Sequence, residues 1–171
     1  MDEGSREAFL EQVDSCRPRL VRVIWRVLGT RQDAEDALQD TVLRTWQQLE
    51  RFGPHPRLDL LLLRIALNVA LNNLRKRNRC RSREQRLDTV EEVVDYDASP
   101  REASEREEQE RRLIEQIARL PPQQSLAVML RLMEERSLAE VATILECSES
   151  TARSYVSRAV RRLRAKLGDT F

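Results

Sequence analysis

The chain has 171 residues, room for one ordinary domain or two small ones, and a net charge of +1. Aromatics make up 4% and glycines number four, too few for the strands and hairpins of a β protein, so the expected fold class is all-α. The near-neutral sum argues against a uniformly basic nucleic-acid binder, but it hides segregation. Arg75, Lys76, Arg77, Arg79, Arg81, Arg83 and Arg86 form a basic block, and the stretch from Asp88 to Glu110 is acidic. The last helix is basic again.

Phe9, Leu10 and Val13 begin a first helix. Arg17-Pro18 is expected to interrupt it, and Leu20, Val23, Ile24, Val27 and Leu28 resume the helical spacing as far as Gly29, a natural C-terminal stop. A third helix starts at Thr30 or at Gln32-Asp33, with an apolar face of Ala34, Leu38, Val42, Trp46 and Leu49. Asp33, Asp36, Gln39 and Asp40 lie on its other side. Acids in a first turn suit the helix dipole, so this row reads either as plain helix stabilisation or as an acidic docking face.

Phe52-Gly53-Pro54-His55-Pro56 is a loop, because prolines and glycine do not continue a helix. His55, the single histidine, has no neighbouring ligand types. Leu58 to Arg83 reads as one long, largely buried helix. At 100° per residue Arg64, Asn68, Asn72 and Arg75 share a narrow polar stripe that runs into the basic block. Polar groups on a buried helix are costly unless bonded, so this stripe faces either water or a phosphate backbone and an extruded base. Asp59, Arg64 and the asparagines also rule this segment out as a membrane span.

The acidic stretch, interrupted by Ser99-Pro100, carries a linker signature. It divides the chain into 1–86, a linker 87–110, and 111–171. From Arg111 the periodicity returns. Leu113, Ile114, Ile117 and Leu120 form a helix ended by Pro121-Pro122, and Leu126, Met129, Leu130 and Met133 form the next, with the methionines as core filler.

Ser137 is a good N-cap, and Glu140 three residues on completes a capping box. Leu138, Val141, Ala142 and Leu145 give the short helix that follows one apolar face. Ser148 or Ser150 can cap a second helix, whose stripe is Ala152, Val156, Ala159, Leu163 and Leu167. Its other side shows Ser150, Ser154, Ser157, Arg158 and Arg161. The second half carries Arg158, Arg161, Arg162, Arg164 and Lys166 with no acid among them. A short helix, a tight turn and a basic, hydroxyl-rich second helix make the sequence form of a helix-turn-helix. The competing reading is an amphipathic hairpin with a solvated face. Arginine can fork onto guanine in the major groove, and serine or threonine can reach bases and phosphates.

Taken together, the chain resembles a bacterial RNA polymerase sigma factor of the extracytoplasmic-function (ECF) group of the sigma-70 family. DAEDALQDTVLRTW (33–46) is similar to that family's polymerase-clamp-binding helix. LLRIALNVALNNLRKRNR (62–79) is similar to its −10-reading helix, and residues 120–167 resemble its −35-binding domain. The resemblance implies that Asp36, Gln39 and Asp40 contact core RNA polymerase. It implies that Arg64, Asn68 and Asn72 line a site for the melted −10 element, with Arg75, Arg77 and Arg79 on adjacent phosphates. It assigns Thr151, Arg153, Ser154, Ser157, Arg158 and Arg161 to the −35 major groove. It further implies promoter DNA as partner and inhibition by a cognate anti-sigma protein, often membrane-anchored. This sequence departs from the family at Leu61, where a tryptophan is usual, at Glu146, where the turn usually holds glycine, and at Cys147, where an aliphatic residue is usual.

The alternatives are a helix-turn-helix regulator working without the polymerase and a helical adaptor with no DNA role. An enzyme is not expected, for lack of a metal cluster, a nucleophile elbow or a phosphate loop, and no cofactor, metal or small-molecule substrate is expected either. Cys16, Cys80 and Cys147 match no zinc spacing and read as reduced thiols. Cys80, among arginines that would lower its pKa, is a candidate redox sensor. The polar, acidic N-terminus is not a signal peptide, so the expected location is the cytoplasm.

Overall fold

The computed structural model describes residues 3–87 and 105–168, which form helices and connecting turns with no strand among them. Helices α1 (Glu3–Leu28), α2 (Arg31–Phe52) and α3 (Leu58–Leu87) pack against one another as one unit. Helix α1 is continuous through Pro18, contrary to the break expected at Arg17-Pro18. A proline inside a helix loses one backbone bond and costs about 3 kcal/mol or more. Phe9 and Val13 before it and Leu20, Val23, Ile24, Val27 and Leu28 after it are all buried. At roughly 1.5–3 kcal/mol per buried side chain, that row outweighs the proline.

Thr30 caps α2 by accepting the Asp33 N–H at 3.2 Å. The helix stops at Gly53, whose φ of 83° suits glycine. Its inner side mixes small residues with two leucines: Ala34, Ala37, Leu38, Thr41, Thr45 and Leu49 are buried, whereas Val42 and Trp46 are only half-buried. The Thr41 hydroxyl donates to Ala37 O and the Thr45 hydroxyl to Thr41 O, each at 2.7 Å. Phe9 and Trp46 meet at 5.1 Å and join α1 to the outer part of α2.

Helix α3 is the centre of this unit. Leu62, Leu63, Leu67, Leu71 and Leu74 are fully buried, and truncating any of them to alanine would cost about 2–5 kcal/mol. Leu61, at the position where the resemblance expects tryptophan, is itself in the core at 3% exposure.

The second unit contains α4 (Glu105–Ala118), α5 (Pro122–Val128), a π-helical turn (Met129–Met133), α6 (Leu138–Leu145) and α7 (Glu149–Leu167). Helix α4 already begins at Glu105, inside the stretch read as linker; the acidic residues 88–104 lie outside the described residues. Pro122 sits in the first turn of α5, where its missing N–H costs nothing. Ile117, Val128, Met129, Leu130, Val141, Ala152, Ala159 and Leu163 make the core. The π turn at Met129 was not foreseen in the sequence, where Leu126 to Met133 reads as a plain helix. Helix α3 touches α4, α5 and α6, so the two units lie side by side. No helix of the described residues is long and apolar enough to cross a membrane.

Candidate nucleic-acid interface

The expected capping chemistry fixes the geometry of α6 and α7. Ser137 Oγ accepts the Glu140 N–H at 3.2 Å, and Glu140 returns the favour by accepting the Ser137 N–H at 2.9 Å. Arg136 adds a bond to the same carboxylate at 2.6 Å. These bonds, led by the Ser137 backbone N–H, hold the Glu140 carboxyl well below the ordinary range, at about 2. Ser148 caps α7 by accepting the Thr151 N–H at 3.2 Å.

The turn between them places Glu146 in the left-handed region at φ 53°. A non-glycine residue there costs roughly 1 kcal/mol. Ala152, Ala159 and Leu163 of α7 are buried, Val156 and Leu167 pack at their edge, and Tyr155 lies against the core rather than outward.

On the outer side of α7, Arg153, Ser157, Arg158 and Arg161 are exposed, and Thr151 and Ser154 are half-covered. Thr151 shares its hydroxyl with Ser148 Oγ at 2.8 Å, and Arg153 pairs with Glu149 at 3.3 Å. Arg153, Ser157 and Arg161 also line one open groove of about 400 Å³ together with Arg131 and Arg164. Arg131, from the π turn, was missed in the sequence because it belongs to no periodic row of α7.

The acidic row of α2 also faces outward. Asp36 and Gln39 are exposed, and Asp40 is half-exposed and paired with Arg44 at 2.7 Å. Leu43, one turn on, is 55% exposed. This apolar residue in an otherwise polar row is the signal that sequence reasoning passed over.

The α3 stripe divides. Arg64 pairs with Glu146 at 2.8 Å and donates to Ile144 O at 3.4 Å. Arg75 donates to Ala118 O at 2.7 Å, Leu120 O at 3.3 Å and Ser125 Oγ at 2.7 Å, and also reaches Asn72 Oδ1 at 2.8 Å. Burial first, and repulsion from Arg79 second, lower the Arg75 pKa from its ordinary value. Asn68 is half-buried, and Asn72 and Arg79 are exposed. Arg77 does not join them. Two residues past Arg75, it turns to the opposite side and bonds Leu28 O at 3.0 Å and Asp33 at 3.4 Å.

A capped helix-turn-helix whose second helix shows this basic outer row defines a DNA-binding protein of the helix-turn-helix class. Comparison with known proteins narrows the class. Residues 12–80 match the family Sigma-70 region 2, and residues 110–163 match Sigma-70, region 4. The chain is 24% identical to the ECF RNA polymerase sigma factor SigW of Bacillus subtilis, over 98% of this chain and 92% of that protein. It is 26% identical to the ECF RNA polymerase sigma-E factor of Haemophilus influenzae, over 98% and 91% of the two chains. The RNA polymerase sigma-H factor of Pseudomonas aeruginosa is 28% identical over 93% and 86%. In fold, the chain is similar to the sigma factor RpoE solved with the anti-sigma factor NepR from Bartonella quintana, with a TM-score of 0.50, 22% identity, and coverage of 98% and 99%. The chain belongs to the sigma-70 family, in its ECF group. It is a transcription-initiation factor that binds core RNA polymerase and promoter DNA.

Proposed function

We propose that residues 1–86 dock on core RNA polymerase and capture the melted −10 element, that 111–171 read the −35 element, and that 87–110 join the two. Asp36, Gln39 and Asp40 supply an acidic rim for polymerase docking, and Leu43 supplies an apolar centre. An exposed apolar anchor ringed by charge is the usual anatomy of a binding hot spot. Arg64 and Asn68 receive an extruded base, Asn72 flanks it, and Arg75 and Arg79 hold phosphates. Unstacking a base costs a few kcal/mol, which specific donors must recover. Arg77 belongs to this set only after it leaves Asp33. Thr151, Arg153, Ser154, Ser157, Arg158 and Arg161 face the −35 major groove.

The observation that carries this reading is the α7 face, where the exposed Ser157, Arg158 and Arg161 lie on one side of a helix whose opposite side is buried. The protein catalyses no bond chemistry; binding energy alone favours the opened DNA. It acts in the cytoplasm, where its polymerase is. A cognate anti-sigma protein masks its docking and DNA faces; RpoE of Bartonella quintana, of similar fold, was solved with such a partner.

Reconstitution with sigma-free core polymerase, followed by transcription of a genomic-fragment library, tests the proposal. Stoichiometric binding with discrete new start sites is the expected result. DNA binding without polymerase binding would overturn it.

A further inference from the structure

Four arginines of the first unit donate hydrogen bonds and ion pairs to acceptors of the second. Arg19 pairs with Glu134 at 2.8 Å, and the Glu134 side chain is only 7% exposed. Arg26 pairs with Glu110 and donates to Met133 O at 3.2 Å. Arg64 takes Glu146 and Ile144 O, and Arg75 takes Ala118 O, Leu120 O and Ser125 Oγ.

The carbonyls share a feature. Ala118 ends α4 and Leu120 follows it, Met133 ends the π turn, and Ile144 lies in the last turn of α6. Carbonyls at helix ends have no partner within their helix and carry the negative end of the helix dipole. Arg26, Arg64 and Arg75 of the first unit therefore bind carbonyls at or just past helix ends of the second. Two of them, Arg64 and Arg75, lie on the stripe assigned above to the −10 element.

We infer that the second unit is an autoinhibitory clamp: it occupies Arg64, assigned above to the extruded base, and Arg75, assigned to a phosphate, so −10 DNA and the clamp compete for the same guanidinium groups. Glu146 is the latch. It stands in the helix-turn-helix turn in a left-handed conformation that disfavours it, and its carboxylate meets Arg64 at 2.8 Å. The inhibition, though not the clamp itself, rests on the −10 assignment of Arg64 and Arg75. Promoter capture then requires the units to part, which couples −10 binding to release of the helix-turn-helix.

The test uses the full chain with Glu110→Gln, Glu134→Gln and Glu146→Gln combined. These changes remove the three acids that pair with Arg26, Arg19 and Arg64 and leave every proposed DNA or polymerase contact in place. Small-angle scattering reports the separation of the units. Fluorescence anisotropy with a mixed-sequence single-stranded DNA of about 12 nucleotides, within the span such sites cover, reports the stripe. Circular dichroism checks that helicity is kept.

A larger radius of gyration together with tighter DNA binding is expected, roughly tenfold tighter if nine in ten wild-type molecules are closed. An unchanged radius and unchanged affinity at native helicity would overturn the clamp. Expansion without tighter binding would overturn the inhibition. In that case Arg64→Ala with Arg75→Ala, placed in the expanded variant, separates the causes. Loss of DNA binding keeps the −10 face and rejects only the competition, and no loss rejects the −10 face itself. If the triple variant loses helicity, a salt titration of the wild-type chain replaces it. Expansion on raising salt from about 0.05 M to 0.5 M, where screening shortens from well over 10 Å to a few Å, supports the clamp, and a constant radius rejects it.

Discussion

The guanidinium of Arg75 lies 2.7 Å from Ser125 Oγ, a hydroxyl wholly buried at the start of α5. This contact carries α3 into the first turn of another unit's helix. The same guanidinium holds Ala118 O and Leu120 O. Arg75→Ala leaves these acceptors without that donor, at about 1–3 kcal/mol for a buried group left unpaired. The expected outcome is a lower thermal midpoint for the full chain. Arg75→Lys should recover only part of it, because an ammonium cannot fork across three acceptors. An unchanged midpoint in Arg75→Ala would show the contact to be energetically idle.

Asp40→Arg should weaken binding to core polymerase more than tenfold while leaving the fold intact. Its native partner is Arg44, one turn away and more than half exposed, and such a helix pair contributes only about 0.3–0.5 kcal/mol. A large loss of polymerase affinity at unchanged stability is therefore a docking effect. Leu43→Asp should act in the same direction. Native polymerase affinity in both variants would remove α2 from the interface.

Arg158→Ala should weaken −35 recognition by about 1–3 kcal/mol and relax preference at one base pair. Arg131→Ala should behave differently. Arg131 borders the α7 groove from the π turn, so under the proposed −35 reading it is expected to touch backbone rather than bases. Binding should weaken evenly across sequences, and the slope of log affinity against log salt should fall by about 1. Anisotropy at several salt concentrations separates the two behaviours.

The capping box gives a pH dependence of known sign. Glu140 has its carboxyl lowered from 4.5 to about 2 by bonds from Ser137 and Arg136. A depressed folded value means that the unfolded chain binds the proton first as pH falls. The stabilisation is fully present above about 4.5 and drains away as pH drops toward about 2. Helicity of the wild-type chain should fall across this window. Glu140→Gln, which keeps a capping oxygen without the charge, should flatten that part of the profile. An identical acid profile in both proteins would rule out the box as its source.

Local chemistry made the helix-turn-helix legible: Ser137, Glu140 and Ser148 act on neighbours three residues away, and periodicity alone placed Ala152, Ala159 and Leu163 inward. The same local rules failed at Pro18, because the packing of Ile24 and Val27 against the rest of the unit is a long-range fact. Arg64 and Arg75 were visible as a stripe needing partners, but Glu146 and Ala118 are remote in sequence and leave no periodic trace. The resemblance groups Arg77 with Arg75 and Arg79 on one run of phosphates. The helix itself turns Arg77 away, toward Leu28 O and Asp33. Leu61 shows the converse, since its burial leaves it no surface on which a base could stack.

The inner row of α2 has a consequence for how this protein can change over generations. Thr41 and Thr45 satisfy their hydroxyls on their own helix, so with Leu38 and Leu49 buried beside them α2 asks its neighbours for an apolar fit and for no polar partner at those positions. The positions that seat the helix and the positions that meet its partner are thus separate sets on one rod. If Asp36, Gln39, Asp40 and Leu43 form the docking face proposed above, they can drift with the partner while the seat stays as it is. A library randomised at these four positions should keep its folded fraction and spread widely in polymerase affinity, whereas one randomised at Ala34, Ala37, Thr41 and Thr45 should lose folded protein first.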